Sequence, residues 1–413
     1  MVRDKVIIDT DPGVDDVLAI LLALASPELD VRALTITFGN TLAPSAYQNT
    51  LKLFACLSRE FAANPSAETR YAGNLIPAER EGGKKLVLAL GAEGPVGGER
   101  DLAAYFHGTD GLSNISQTHP HFTPPPLPTS GATHDYLDIE EKKPGYEVML
   151  DILRSEEEGT VRIIALGPLS NVALAYRADP ETFKRVREVV WMGGALDVPG
   201  NTSPTAEFNC FADPYAAQEV VEAVTSGAFT LTMCPLDITT PHTIHFDKLI
   251  HDVEAGGKTQ EQPLKEFISA MLIRVRGLMK SFNLPDAMEM HDPMAVWYVI
   301  ATVGTDPRVR VGGQKTGKSA GWPEGWEGVK RVFAVERKGE LSRGMCVVDR
   351  RGTGEQHFIR TEGDFSSGNN DIKSNESSSV VVGETSEPAP WVVSRTPGSD
   401  VLEEMLLARV FGA

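Results

Sequence analysis

Apolar positions along this chain fall in blocks that alternate between strand and helix periods. Val6-Ile7-Ile8 is a short β-branched run, as a buried strand is. Val17 to Ala25 is apolar nearly all round, as a buried helix is. Leu29 to Phe38 reads as a second strand, closed by Gly39-Asn40, and Ala46 to Leu57 as a helix. Val161 to Leu166 is a strand that Gly167-Pro168-Leu169-Ser170-Asn171 turns into a helix through Tyr176. Val186 to Met192 is a strand closed by Gly193-Gly194. Asp213-Pro214 has the form of an N-cap with a first-turn proline, opening a helix through Val224. Phe229 to Met233 is a further strand, Arg331 to Asp349 a β-hairpin turning at Lys338-Gly339-Glu340, and Val401 to Val410 a closing helix. Such alternation predicts an α/β fold: a mainly parallel sheet with helices on both faces.

Three stretches break the rhythm. Residues 118–145 contain Pro124-Pro125-Pro126, residues 312–328 are glycine-rich and hold Trp322 and Trp326, and residues 363–390 are rich in Ser, Asn, Glu and Pro. They read as surface insertions in one large domain spanning 1–413. The two tryptophans are either loop packing or a platform on which a planar ligand stacks.

Composition narrows the partners. With 413 residues and 41% hydrophobic content the chain supports a sizeable core. Its 39 basic and 57 acidic residues leave a net charge of −18 and a pI near 5.0. That balance argues against nucleic acid and anionic membranes as partners. It suits a metal or a small neutral or cationic ligand, although solubility alone explains much of it. Cys56, Cys210, Cys234 and Cys346 form no CxxC pair, so buried free thiols are expected rather than a zinc or disulfide framework. The first residues lead straight into a strand with no secretory h-region, and no apolar run reaches membrane-spanning length. The expectation is a soluble cytoplasmic protein.

The chemistry concentrates in Asp9-Thr10-Asp11-Pro12-Gly13-Val14-Asp15-Asp16, with four aspartates in eight residues. Two carboxylates about 4 Å apart repel by roughly 4 kcal/mol at an effective dielectric near 20. The cluster follows a buried strand and precedes a buried helix, the crevice where open α/β sheets bind ligands. A metal or substrate site is therefore expected, with helix capping as the plainer alternative. An EF-hand does not fit: counting from Asp9, its glycine and glutamate positions hold Val14 and Ile20. A phosphatase-like aspartyl nucleophile at Asp9 or Asp11 leaves the downstream polar residues without a role. Those are Asn40, Asn201, Glu207, Asn209 and Asp213, and the His291-Asp292-Pro293 sequence before an apolar helix. Singly, Asp292 reads as a helix cap, Asn201 as a turn residue and His291 as a surface histidine. Together they form a set of hard oxygen ligands, amides and one titratable ring that suits a hydroxyl-rich ligand on Ca²⁺ or Mg²⁺.

In this set the sequence resembles the inosine–uridine-type nucleoside hydrolases. The N-terminal octapeptide carries the resemblance. Phe38-Gly39-Asn40, Gly108-Thr109-Asp110-Gly111-Leu112, Ala165-Leu166-Gly167-Pro168-Leu169-Ser170-Asn171, Trp191-Met192-Gly193-Gly194, Ala206-Glu207-Phe208-Asn209, Met290-His291-Asp292-Pro293 and Gly339-Glu340-Leu341-Ser342-Arg343-Gly344 follow in order. The resemblance implies an open, Rossmann-like sheet and Ca²⁺-dependent hydrolysis of the N-glycosidic bond of ribonucleosides, uridine or inosine first. It implies Ca²⁺ on Asp11, Asp16, Asp292 and the Leu166 carbonyl, and ribose hydroxyls on Asp15, Asn40 and Asn209. It further implies Asn201 and Glu207 toward the 5′ end, Met192 against the sugar, Asp11 as general base, His291 as acid to the leaving base and His107 on the base side. A homodimer or homotetramer is implied in the same way. The helix Phe267 to Arg276 lacks the tyrosines that close over the base in many relatives, which leaves the base preference open. A catalytically silent nucleoside- or ribose-binding protein that keeps the metal site is the alternative.

Overall fold

The computed structural model describes residues 3–124, 135–251, 262–305, 321–350 and 388–412. Its strands are, in chain order, β1 (Asp4–Thr10), β2 (Leu29–Ile36), β3 (Leu86–Leu90), β4 (Leu137–Glu140), β5 (Val161–Ala165), β6 (Glu188–Met192) and β7 (Leu231–Cys234). There follow β8 (Thr243–His245), β9 (Ala287–Glu289), β10 (Glu327–Lys330), β11 (Ala334–Val335), β12 (Cys346–Val347) and β13 (Trp391–Arg395). Nine of them form one sheet in the order β10-β13-β7-β6-β5-β1-β2-β3-β4. All neighbours in it are parallel except β10 and β13.

β1 alternates its side chains between two cores. Val6 and Ile8 face the helices Val14–Leu24, Ala43–Ala63, Pro263–Ser281 and His291–Ala301, while Ile7 faces Gly145–Ser155, Ser170–Ala178 and Pro214–Thr225. Burial on both faces explains why these strands read as continuous apolar runs. The chain runs outward from β1 to β4 and then returns to place β5 on the other side of β1. That reversal opens a crevice at the carboxyl ends of β1 and β5, where the aspartate turn lies. Among the described residues no helix is long and apolar enough to cross a membrane.

The expected elements are present with shifted ends, and three readings change. Segment 118–145 is not only a surface insertion: its Leu137–Glu140 pairs with β3 as the edge strand, and Phe122 is buried against Phe267. Residues 327–328 of the second stretch likewise belong to edge strand β10. Trp322 and Trp326 are core residues. Trp326 lies 4.6 Å from Trp297, and Trp322 lies 5.8 Å from both Tyr298 and Trp391, centroid to centroid. Residues 312–320 and 363–387 of the expected insertions lie outside the described residues. The hairpin is reduced to two-residue strands, β11 against β12, and all four cysteines are buried.

Candidate active site

The four aspartates of the turn separate by function. Asp9 ends β1 between two neighbours: its Oδ1 accepts from Thr35 Oγ1 at 2.6 Å and Asn171 Nδ2 at 2.8 Å. It ties β1 to β2 and to the first turn of helix Ser170–Ala178, and burial raises its pKa to about 7. Its Oδ2 is buried without a hydrogen-bond partner, whereas both oxygens of Asp16 are engaged. Asp16 Oδ1 accepts from Thr10 Oγ1 (2.5 Å) and Asp11 N (3.2 Å), and its Oδ2 from Gly13 N (2.9 Å) and Asn40 Nδ2 (2.8 Å). The bond to Gly13 closes the first turn of helix Val14–Leu24, so Asp16 caps that helix whatever else it holds.

Capping does not account for the other two. Asp11 Oδ2 accepts from Asn40 N at 2.6 Å, but its Oδ1 is buried with no hydrogen-bond partner, as is Asp15 Oδ1. A buried unpaired carboxylate oxygen costs free energy unless something neutralises it. Gly39 and Gly167 make room for Asp11, since a Cβ there would meet its carboxylate oxygens at 2.1 and 2.5 Å. Asp292 arrives from the first turn of helix His291–Ala301, which packs along helix Val14–Leu24. Met290, not Asp292, is the N-cap of that helix, which frees Asp292 for the crevice. Asp15, Asp16 and Asp292 present oxygens all within 4.8 Å of one another. Burial, then the charges of Asp15, Asp16 and Asp11, push the Asp292 carboxyl well above its usual range. Burial and Asp16 do the same to Asp11, and raise Asp15 to about 7. Carboxylates crowded this closely are the donor set that fits a hard divalent cation. Asp11 lies beside this trio rather than in it.

A cavity of about 230 Å³ opens in front of the cluster. Every predicted site residue lines it except Asp11 and Asp16, which lie behind its wall. One end is polar, with Asp15, Asn40, Leu166, Asn209 and Asp292. Asn209 donates Nδ2 to the Leu166 carbonyl at 2.7 Å and the Met192 carbonyl at 3.0 Å, leaving the second lone pair of Leu166 O. Glu207 caps helix Phe208–Ala212. Its carboxylate accepts from Asn209 N, Gly194 N and Cys210 N at 2.6 to 3.0 Å, and burial still holds its pKa above the usual value. Asn201 Oδ1 accepts from Phe208 N at 3.0 Å, fixing the same turn.

The other end is apolar, with Tyr105, Phe106, Met279, Phe282, Leu284 and Met288. Tyr105, Phe282 and Leu284 are strongly exposed there. Asn283, between the last two, takes a positive φ of 57°, which turns the chain at the cavity mouth. His107 lines the cavity next to Phe106. It is buried and its Nδ1 accepts from Val14 N at 3.2 Å, so it braces the aspartate turn. Burial, with help from the Arg274 and His291 charges, lowers its pKa to about 3. His291 is held at both nitrogens: Nδ1 lies 2.8 Å from Thr239 Oγ1 and Nε2 lies 2.9 Å from Glu289 Oε2. Burial pulls its pKa down, but Glu289 and the Asp15 and Glu207 charges outweigh that and raise it. Glu289, Thr239 and the apolar rim were not among the sequence candidates. The Glu289-x-His291 spacing and Tyr105-Phe106 beside His107 are the signals that could have found them.

Comparison with known proteins agrees with this geometry. A family described as inosine-uridine preferring nucleoside hydrolase matches residues 6–383. A probable uridine nucleosidase 1 from Oryza sativa subsp. japonica is 38% identical over 257 residues, 62% of this chain and 65% of that protein. A pyrimidine-specific ribonucleoside hydrolase RihA from Citrobacter koseri is 30% identical over 344 residues, 83% of this chain and 88% of its own. Among solved structures, the plant nucleoside hydrolase PpNRh1 superposes with a TM-score of 0.67 over 100% of both chains at 23% identity, a likeness of fold.

Proposed function

From the premise that this chain belongs to the inosine–uridine preferring nucleoside hydrolases, enzymes that hydrolyse ribonucleosides, we propose a Ca²⁺-dependent hydrolase that releases ribose from uridine and inosine. The observation that carries the metal is the pair of unpartnered buried oxygens, Asp11 Oδ1 and Asp15 Oδ1, beside the Asp15–Asp16–Asp292 trio. In this reading Asp16, Asp292, Asp11 and the Leu166 carbonyl hold the ion. Ca²⁺ bound there supplies positive charge that acidifies water and orients sugar hydroxyls.

The chain's own groups supply the rest. Asp11 is the general base: the Asn40 N–H fixes one of its oxygens and leaves the other for a water proton. Asn40 and Asn209 spend their Nδ2 donors on the protein, which leaves their carbonyl oxygens for ribose hydroxyls. Positive charge develops on the sugar as the C1′–N bond lengthens, as in other glycoside cleavage. Asp15, at the polar end, stabilises that charge more than it stabilises the neutral substrate. His291 gives the departing base its proton, and Met192 packs on the sugar. The base occupies the apolar end. The support for uridine and inosine is the family's description together with the activities in the rice and Citrobacter names.

The test is reducing-sugar release from uridine and inosine, with and without chelator. Turnover is expected with Ca²⁺ and abolished by the chelator. Undiminished turnover after complete metal removal overturns the metal's role.

A further inference from the structure

His291 sits in a grip that nothing in the aspartate cluster requires. Thr239, fully buried at the end of the short helix Leu236–Thr239, meets Nδ1 from behind. Glu289 meets Nε2 from the cavity side: it lines the cavity, and its side chain keeps 34% of its exposure against 13% for His291. Glu289 is itself held in place by β9, where it pairs with Thr243 of β8. A surface histidine with a chance contact would not have both nitrogens matched by groups on separate, fixed elements.

We propose, on the reading that this is a nucleoside hydrolase, that Glu289 and Thr239 are positioning residues for His291. They make Nε2 the nitrogen that delivers the proton to the leaving base. Thr239 anchors the rear of the ring, and Glu289 accepts the Nε2–H in the free protein, which keeps a proton on that edge until the entering base replaces Glu289 as its acceptor. In the step itself the C1′–N bond breaks with its electron pair going to the base. The Nε2 proton passes to the base, the water oxygen bonds to C1′, and the water's proton goes to the Asp11 carboxylate. His291 ends neutral and the released base carries no charge. Fixing a proton donor in this way pre-organises the transfer. The grip matters only when the leaving group needs a proton.

That dependence supplies the test. Wild type, Glu289→Ala, Glu289→Gln, Thr239→Val and Thr239→Ser are assayed with Ca²⁺ on uridine, on inosine and on 4-nitrophenyl β-ribofuranoside, whose phenolate departs without protonation. Glu289→Ala is expected to lower kcat on the two nucleosides by about 10- to 100-fold, within the range of general acid catalysis. Its kcat on the nitrophenyl riboside and its KM values stay within about twofold. Glu289→Gln, which keeps an acceptor for Nε2, recovers part of the loss. Thr239→Val shows the same split to a lesser degree, and Thr239→Ser, which keeps the hydroxyl, stays near wild type. Equal losses on all three substrates would mean that these residues merely hold the fold, and unchanged nucleoside turnover would mean that they do nothing for His291. Either result overturns the proposal. A wild-type protein that releases ribose from none of the three overturns the underlying reading instead, and the proposal with it.

Discussion

The two ends of the cavity are built on different principles. The polar end is made mostly at strand termini: Asp15 follows β1 with Asp11 behind it, Asn40 follows β2 and Leu166 follows β5, while Asn209 and Asp292 come from the first turns of two helices. Short bonds fix this end to the sheet, such as Leu166 N to Asp9 O at 2.7 Å and Asn40 N to Asp11 Oδ2 at 2.6 Å. The apolar end comes from the short helix Ala104–His107, the turn after Ser281 and strand β9, and it leaves Tyr105 and Phe282 more than half exposed, at 56% and 62%. A reacting centre needs groups held to fractions of an ångström, and the sheet provides that. A base needs a surface to lie on, and loops can provide it. Disrupting the two ends should therefore give opposite kinetic signatures.

The largest effect belongs to the polar end. Asp11→Ala removes the general base and one of the proposed ion ligands, and should lower kcat on uridine and inosine by about 10²- to 10⁴-fold, far more than it raises KM. The same end should respond to metal without any substrate present. A cation that binds only the folded chain adds about 3 kcal/mol of stability at a hundredfold excess over its Kd. Thermal unfolding monitored with Ca²⁺ and with chelator should differ by several degrees, and Asp292→Asn should shrink that difference. Identical melting curves under both conditions would count against a cation among these carboxylates.

His107 gives the next effect, on stability. Its pKa is held near 3 in the folded chain by burial, against about 6.5 when unfolded. Between those values the unfolded chain binds a proton that the folded chain refuses, so stability falls as pH drops from about 6.5 towards 3. At 1.36 kcal/mol per pH unit the full window is worth on the order of 5 kcal/mol. His107→Gln keeps an acceptor for the Val14 N–H and removes the titration. Its melting temperature should fall less steeply below pH 6 than that of wild type. Parallel curves would place the acid sensitivity elsewhere.

The polar end was largely legible in the sequence because its residues come in contiguous strand-end motifs whose composition is hard to explain otherwise. Their division of labour was not. Each keeps one unpartnered buried oxygen, but Asp9 becomes a clamp because Thr35 and Asn171 reach its Oδ1, while Asp11 is held only from the backbone of Asn40. Strand β4 went unread because Leu-Asp-Ile-Glu at a sheet edge is short and half polar, and it follows a proline run. The apolar end was unread because three separate segments build it, and isolated aromatic residues have no periodicity. Trp322 and Trp326 read in the sequence as loop packing or as a stacking platform. They instead fill the space between helix His291–Ala301 and β13, against Trp297, Tyr298 and Trp391.

The smallest predicted effect decides where the base lies. Phe282 caps the helix Pro263–Ser281, keeps 62% of its surface exposed and lines the cavity beside Leu284. Exposed apolar side chains at a cavity mouth are unfavourable in the free protein and are covered when a planar ligand lies on them. An aromatic pair contributes about 0.5–1.5 kcal/mol beyond the area it buries. Phe282→Ala should therefore raise KM for uridine and inosine roughly three- to tenfold with kcat nearly unchanged, because the ring contacts substrate and transition state alike. Trp322→Phe is the paired control. Its loss falls on the Tyr298 and Trp391 contacts, so the melting temperature should drop while KM stays where it was. Were KM to follow Trp322 and ignore Phe282, the base would lie against the far core, and the two-ended cavity described above would be the wrong frame for this enzyme.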